Sequence, residues 1–576
     1  MYDLIRDAPL GQAIRFLSGK RLFRYPEEEA GFVLPPQYTA RLKEEKPNVG
    51  NSPGQRISGN TQTSQQHRPG DVEDIGGEWM HEHDARGERE IELQRTKSIP
   101  IVPEKTNDGV VLVDWYATDD PANPQNWSKL KKYWITGVLC AYTFAVYCGG
   151  PVYVASAAGV EERFGVGPVA SSLGLALYVC AFGVGDLIFS PITEIPVVGR
   201  NHVYYLTFIV YWALSFAPPV ISSFGGLLVL RFLLGSFGSP ALANGGASVG
   251  DMYSLLYVPY GLCWWAFGGY QGPSIGPLIG GFAAQAKGWR WPMWEVVWLS
   301  SIILVLLLTF MPETSADNIL LRRAQRLRKL TGNANLQSRS EINQRHISTY
   351  SIVKTVLIRP TEIMLKDPSI FFIHVYTAYF YAIFYTFFEV FPLVFPVIYG
   401  FNEGETGLAF VSCLIGSTTA LFSYFAYLHF YMIPDNIKNG LRAQEHRLVP
   451  AIFGSVLLPV GMFMFAWTAR ESVHWIVCLI GVALFVCGEF IVMQSLFIYL
   501  PMSYPQYAAS LFAGNSVLRS TLAGGAVLFA RPLFVNLGVA RGVSLLAGIS
   551  VAGIIGTTMI YLFGAKLRAR STFAST

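Results

Sequence analysis

The sequence predicts an all-α membrane protein with twelve transmembrane helices arranged as six plus six. Three observations lead there. Only 14% of the 576 residues are charged and 52% are hydrophobic, whereas soluble chains carry about 25% charged residues. Apolar runs long enough to cross a hydrocarbon core of about 30 Å recur along most of the chain. One long basic loop divides those runs into two equal sets.

The first set covers residues 132–157, 170–192, 203–222, 226–249, 257–284 and 294–311. The second covers 369–398, 405–430, 448–468, 474–499, 507–530 and 541–563. Five segments follow: an N-terminal tail, 1–128; a first bundle, 129–311; a middle loop, 312–367; a second bundle, 368–564; and a C-terminal tail, 565–576. The tail opens on an amphipathic stretch near Leu4–Phe23 with Arg15, Lys20 and Arg21. That stretch suits the inner membrane surface or packing on cytosolic loops. Residues 40 to 110 are too polar to offset ordering entropy, and disorder is expected there. No apolar signal core opens the chain, so the first run, near Tyr133, is expected to act as its own targeting signal.

Charge sets the orientation. The middle loop begins Pro312-Glu313-Thr314 and holds ten Lys or Arg residues. Lys129, Lys131 and Lys132 precede the first run, and Lys438, Arg442 and Arg447 follow the eighth. Lys566, Arg568 and Arg570 follow the last. About 20 basic residues fall on this side and about six on the other, which predicts a cytosolic middle loop and cytosolic termini. Basic residues beside apolar segments fit membrane anchoring, not a nucleic-acid partner. The seven cysteines lie in apolar runs without a CxxC pair, indicating neither a disulfide framework nor a zinc site. No P-loop or metal-spaced cluster is present, so no cofactor and no enzyme chemistry are expected.

Several motifs carry possible chemistry. The fifth run reads GGYQGPSIGPLIGG, residues 268–281. Gly268, Gly272, Gly276 and Gly280 fall on one helix face and admit a neighbouring backbone. Gly281 closes the motif, and Pro273 and Pro277 each remove a helix hydrogen bond. Such a face suits a surface that slides against another, or a static packing face. Between the second and third runs, Glu194 and Arg200 flank a turn shaped by Gly and Pro. They form either a conformational latch or an ordinary surface ion pair.

Five ionisable residues interrupt the apolar runs: Asp186, Arg231, Glu389, Glu489 and Arg519. Each costs roughly 2.5–3.5 kcal/mol in hydrocarbon and is therefore a functional candidate. A carboxyl that alternates between apolar surroundings and a neighbouring cation exchanges a proton, which makes Asp186, Glu389 and Glu489 candidates for proton coupling. Structural ion pairing is the other explanation. The seventh run is dense in Phe and Tyr. Tyr376, Tyr379, Tyr385 and Phe388, with Glu389 and Arg519, are the candidate substrate contacts. Rings beside an acid suit amphipathic or cationic ligands. A lipid-facing aromatic surface also explains part of the run, and His374 is expected to make a local hydrogen bond.

These residues resemble the fungal drug:proton antiporters of the major facilitator superfamily over about residues 112–564. GPSIGPLIGG at 272–281 resembles the antiporter motif, with Cys263 where a Gly is usual. RFLLGSFGS at 231–239 resembles the fourth-span motif, with Arg231 and Gly235 in place. SPITEIPVVGRNH at 190–202 resembles the signature between spans two and three through Glu194, Gly199 and Arg200. Its Glu-to-Gly spacing is two residues longer than the commonest form. It looks like the subset containing yeast cycloheximide, benomyl and fluconazole resistance pumps, although His202 replaces a usual Pro. TFFEVFPLVF at 386–395 and YPQYAASLFAGNSVLRS at 504–520 are similar to that subset too.

The resemblance implies a major-facilitator fold of two six-helix bundles, a central cavity and alternating access. It implies proton coupling through Arg231. It also implies export of small molecules in exchange for entering protons, by a monomer in the lipid bilayer of a fungal plasma membrane. Export of one specific metabolite, such as a polyamine or a self-made secondary metabolite, is the nearest alternative. A non-transporting receptor is a further one.

Overall fold

The computed structural model describes residues 2–29, 31–43, 98–106, 108–344, 358–440, 442–504, 507–571 and 573. All twelve predicted apolar runs are helices. In the first bundle they are α1 (Lys129–Gly149), α2 (Pro168–Glu194), α3 (Gly199–Ser215), α4 (Phe224–Met252), α5 (Val258–Lys287) and α6 (Trp291–Phe310). In the second they are α7 (Pro368–Tyr399), α8 (Glu403–Asn439), α9 (Val449–Thr468), α10 (Trp475–Ser503), α11 (Ala508–Leu537) and α12 (Val539–Arg568). Ten of these positions hold helices long and apolar enough to cross a membrane. The other two are α3, only 17 residues long, and α5, whose hydropathy is diluted by seven glycines.

Proline and serine mark where helices break. Beyond Gly149, α1 passes through a 3₁₀ stretch, Pro151–Ser156, into a short helix, Ala157–Phe164. Ser239 and Pro240 divide α4. In α8 the helix pauses at Phe410 and takes a π turn at Leu428–Met432. Capping is local: the Asp367 side chain accepts from the Ser369 and Ile370 amides and opens α7.

Close backbone approach organises the bundles. On α9 and α10 the pairs Gly454/Gly488 and Gly461/Gly481 face each other, and a Cβ on any of the four would meet the opposing backbone. Gly454 and Gly461, like Gly481 and Gly488, are seven residues apart, so each pair repeats on one face after two turns. This is small-residue packing, which draws helices together where lipid supplies no hydrophobic drive.

The chain divides into two compact units. The first contains residues 1–24, 121–319 and 347–576, with all twelve helices. Within it, the expected amphipathic start forms two short helices, Tyr2–Asp7 and Pro9–Leu17, which pack on α3 and α6. The second unit joins residues 25–120 to 320–346, so parts of the tail and of the middle loop form one body. Its strand β1 (Val111–Leu112) runs parallel to β2 (Leu336–Gln337). Arg323 pairs with Asp120 at 2.7 Å and Glu27 at 3.4 Å, and Arg326 reaches Glu27 at 3.1 Å. The expected disorder over 40–110 therefore does not extend through the described residues 98–106 and 108–110. The stretch 44–97 lies outside the described residues.

Replacing Gly461 with Val should overpack α9 against α10 and cost about 1–3 kcal/mol, lowering the unfolding temperature of the detergent-solubilised protein. Gly548→Ala on α12, where an added Cβ meets nothing within 4 Å, should leave that temperature unreduced.

Candidate functional site

A small cavity, of about 50 Å³, lies between the two bundles. Thr143 and Tyr147 of α1 and Trp265 and Tyr270 of α5 line it from the first bundle. Tyr381 and Phe384 of α7, Met493 and Phe497 of α10, and Arg519 of α11 line it from the second. Arg519 is the one charged side chain among the described lining residues. Its guanidinium lies 4.7 Å from the Tyr381 ring centre and 5.7 Å from that of Phe497. The Tyr381 hydroxyl is 3.4 Å from that of Tyr147 and 3.3 Å from that of Tyr385, so the hydroxyls form a short cross-bundle chain.

Two buried carboxyls hold the bundles together at different levels of α2. Near its start, Ser172 Oγ donates to Glu389 Oε1 of α7 at 2.7 Å. Four turns later, Asp186 accepts from Ser516 Oγ of α11. Gly183 permits this second contact, because a Cβ there would run into the Val517 backbone. The two seams lie at opposite ends of α2, the second at the end that leads to Glu194 and Arg200. Glu489 of α10 is fully buried, with neither oxygen hydrogen-bonded. The Tyr270 hydroxyl is the side chain that faces it. Arg519 acts electrostatically on both Asp186 and Glu489.

Arg231 has a different setting from the one expected. It is 3% exposed and spends its donors on carbonyls: Gly174 at 2.9 Å, Gly149 at 2.7 Å and Gly150 at 2.9 Å. The rings of Tyr178 and Tyr153 cover its guanidinium at 4.4 and 4.8 Å. Gly149 ends α1 and leaves orphan carbonyls there, which Arg231 satisfies. No carboxylate of the described residues pairs with it. Gly235, one turn on, lets α4 approach the Tyr178 carbonyl of α2.

Between α2 and α3, Arg200 forms a bidentate pair with Asp251, at 2.6 and 3.2 Å, while Glu194 is exposed. Gly199 adopts φ +72° and brings the start of α3 onto Glu313. The Glu313 carboxylate accepts from the amides of Arg200 at 3.0 Å and Asn201 at 3.2 Å, as an anion at a helix N-terminus should. Burial lifts the Glu313 carboxyl above its ordinary range against the pull of these amides and of Arg200.

The glycine row of α5 divides by direction. Added Cβ atoms at Gly268, Gly272, Gly276 and Gly280 would meet the backbone of α1 and its extension, at Cys140, Cys148 and Val152. That face is internal to the first bundle. Gly281 and Pro277 point to the other bundle, against Glu403 and Gly407 of α8. Pro273 lines the cavity.

Of the expected substrate contacts, only Arg519 lines the cavity. Tyr376 packs on Gly553 of α12, and Tyr379 donates to the Leu546 carbonyl at 2.6 Å. Phe388 stacks on Phe410, Glu389 holds Ser172, and Tyr385 stands behind Tyr381. The cavity face of α7 is Tyr381 and Phe384 instead. An aromatic run gives no sign of which helix face turns inward, and Tyr147, Trp265 and Tyr270 were missed for the same reason. His374 is buried without a hydrogen bond to either ring nitrogen, contrary to expectation.

Arg231→Ala should remove three buried charge-assisted hydrogen bonds, of about 1.5–3 kcal/mol each. The expected result is a large drop in unfolding temperature, partly restored by Arg231→Lys. Unchanged stability would mean that the carbonyl cluster is not held by this side chain.

Comparison with known proteins gives a consistent result. The sequence profile described as Major Facilitator Superfamily matches residues 138–526. An MFS-type transporter of Aspergillus violaceofuscus, pyvG, is 40% identical over 575 residues, covering 100% of both chains. The cycloheximide resistance protein of Candida maltosa is 34% identical over 584 residues, again covering 100% of both. The solved structure of the proton:xylose symporter XylE superimposes with a TM-score of 0.55 at 12% identity, over 76% of this chain and 96% of that one.

Proposed function

The chain belongs to the major facilitator superfamily, and from that premise we propose that it exports amphipathic small organic compounds from the cytosol in exchange for entering protons. The observation that carries this reading is the aromatic cavity between the bundles, bounded above and below by seams that each contain a buried carboxyl. The resistance protein among its relatives supports the direction of transport. The plasma membrane, cytosolic termini and a monomeric state belong to the same proposal; the distribution of basic loops supports the position of the termini.

The physical cycle is as follows. Enclosing a charged carboxylate in a closing seam costs several kcal/mol, whereas a protonated one avoids most of that cost. When the outer seam opens, Ser172 leaves Glu389, and outside water protonates the carboxyl. The seam then recloses on a neutral group. When the inner seam opens, Ser516 leaves Asp186, and the cytosol reaches both this carboxyl and the cavity. Substrate enters the cavity, against Tyr381, Phe384 and Arg519, while the Glu389 proton passes through the open cavity to the cytosol. The recharged carboxylate then favours reopening of the outer seam, which releases the substrate outside. The Pro277 and Gly281 face of α5 slides on α8, while its glycine row stays fixed on α1.

Proteoliposomes bearing an acid-side gradient and radiolabelled cycloheximide test this. The intact protein should accumulate label against its gradient and stop when an uncoupler is added. Glu389→Gln keeps the shape and the Ser172 contact but removes the titration. It should cut gradient-driven accumulation at least about tenfold while leaving substrate-for-substrate exchange intact. Accumulation unaffected by both the uncoupler and the substitution would rule out proton coupling through the outer seam.

A further inference from the structure

Among the polar groups that line the cavity, Arg519 is a charged donor with no acceptor capacity. Arg519 is 7% exposed, its Nε has no hydrogen-bond partner, and no carboxylate among the described residues lies within ion-pair distance of its guanidinium. Tyr270 adds a buried hydroxyl, which faces the Glu489 carboxyl. Thr143 and Trp265, by contrast, are consumed by each other and by the Ala241 carbonyl. The acids nearby do not offset this. Asp186 is held by Ser516 in the seam, and Glu489 lies behind Tyr270, outside the lining. A buried donor without a partner costs about 1–3 kcal/mol, more when charged. A ligand that supplies an acceptor removes that cost, and one that brings a second cation adds repulsion.

On the reading that this cavity is the substrate site, we propose that Arg519 forms an acceptor subsite. The cavity selects flat or cyclic apolar compounds whose polar group is an acceptor oxygen, a carboxylate or enolate most strongly and a ketone next. Ammonium compounds, polyamines included, are disfavoured. This reverses the expectation that rings beside an acid would draw cations, because the acid on α7, Glu389, lies at the outer seam and not in the lining. The aromatic walls supply the apolar contact, and Arg519, over the Tyr381 ring, offers its N–H edge to the ligand.

Calorimetric binding to the purified full chain in detergent tests this independently of transport. Three probes share one ring system: 2-naphthoate, 2-acetonaphthone and naphthylmethyl-trimethylammonium. Naphthoate should bind most tightly, and the ammonium compound at least about tenfold more weakly. Arg519→Gln should abolish that preference, and Arg519→Lys should retain part of it, with size-exclusion profiles checking that each variant is folded. Equal or tighter binding of the ammonium probe to the unsubstituted protein overturns the proposal, as does failure of all three to bind. A preserved preference in Arg519→Gln overturns it too. Loss of gradient-driven transport with the preference intact would instead count against the transport reading and leave the subsite standing.

Discussion

An ionised or polar group enclosed among apolar helices must find its compensation inside the protein, and most of this architecture can be traced to how that is done. Arg231 finds it in three backbone carbonyls and two rings, and in doing so closes the broken end of α1. Asp186 and Glu389 find it in serines of the opposite bundle. Arg519 finds only rings and a distant field, and so remains available to a ligand. The same energetic rule thus produces a structural residue, two seams and a binding group, according to what each side chain meets.

These partnerships need backbones closer than ordinary side chains allow. Gly183 admits α11 to the Asp186 seam, and Gly235 admits α4 to α2. The α5 row ties it to α1, and the reciprocal glycines of α9 and α10 tie that pair. The rigid contacts lie within bundles and are dense in glycine. The contacts between bundles add side-chain pairs, Ser172–Glu389, Ser516–Asp186, Tyr147–Tyr381 and Gln271–Ser417, to close approaches at Gly183 and Gly407. A device that rocks at its seams while its halves stay intact requires that contrast.

The number, type and order of the helices were legible because each apolar run carries its own length and period. Boundaries fell within a few residues for runs such as 474–499, observed as Trp475–Ser503. The candidate charges were legible as well, since an ionisable residue in an apolar run is conspicuous. Their partners were not. Arg200 was expected beside Glu194 and pairs with Asp251; Arg231 was expected to tune a carboxyl and holds carbonyls. Tyr376 and Tyr379 were expected in the cavity and face α12. The small body joining residues 25–120 to 320–346 was also beyond reach, because its strands lie more than 200 residues apart.

By itself the sequence determined the membrane class, the six-plus-six plan and the short roster of buried charges. Those properties depend on local composition and on the free energy of moving a segment from water into lipid. Only the tertiary structure decided which face of α7 meets the cavity, which carboxyl joins which seam and why Arg519 is left without a counter-ion. Those properties depend on helix rotation and on contacts between residues hundreds of positions apart, and no local signal encodes them.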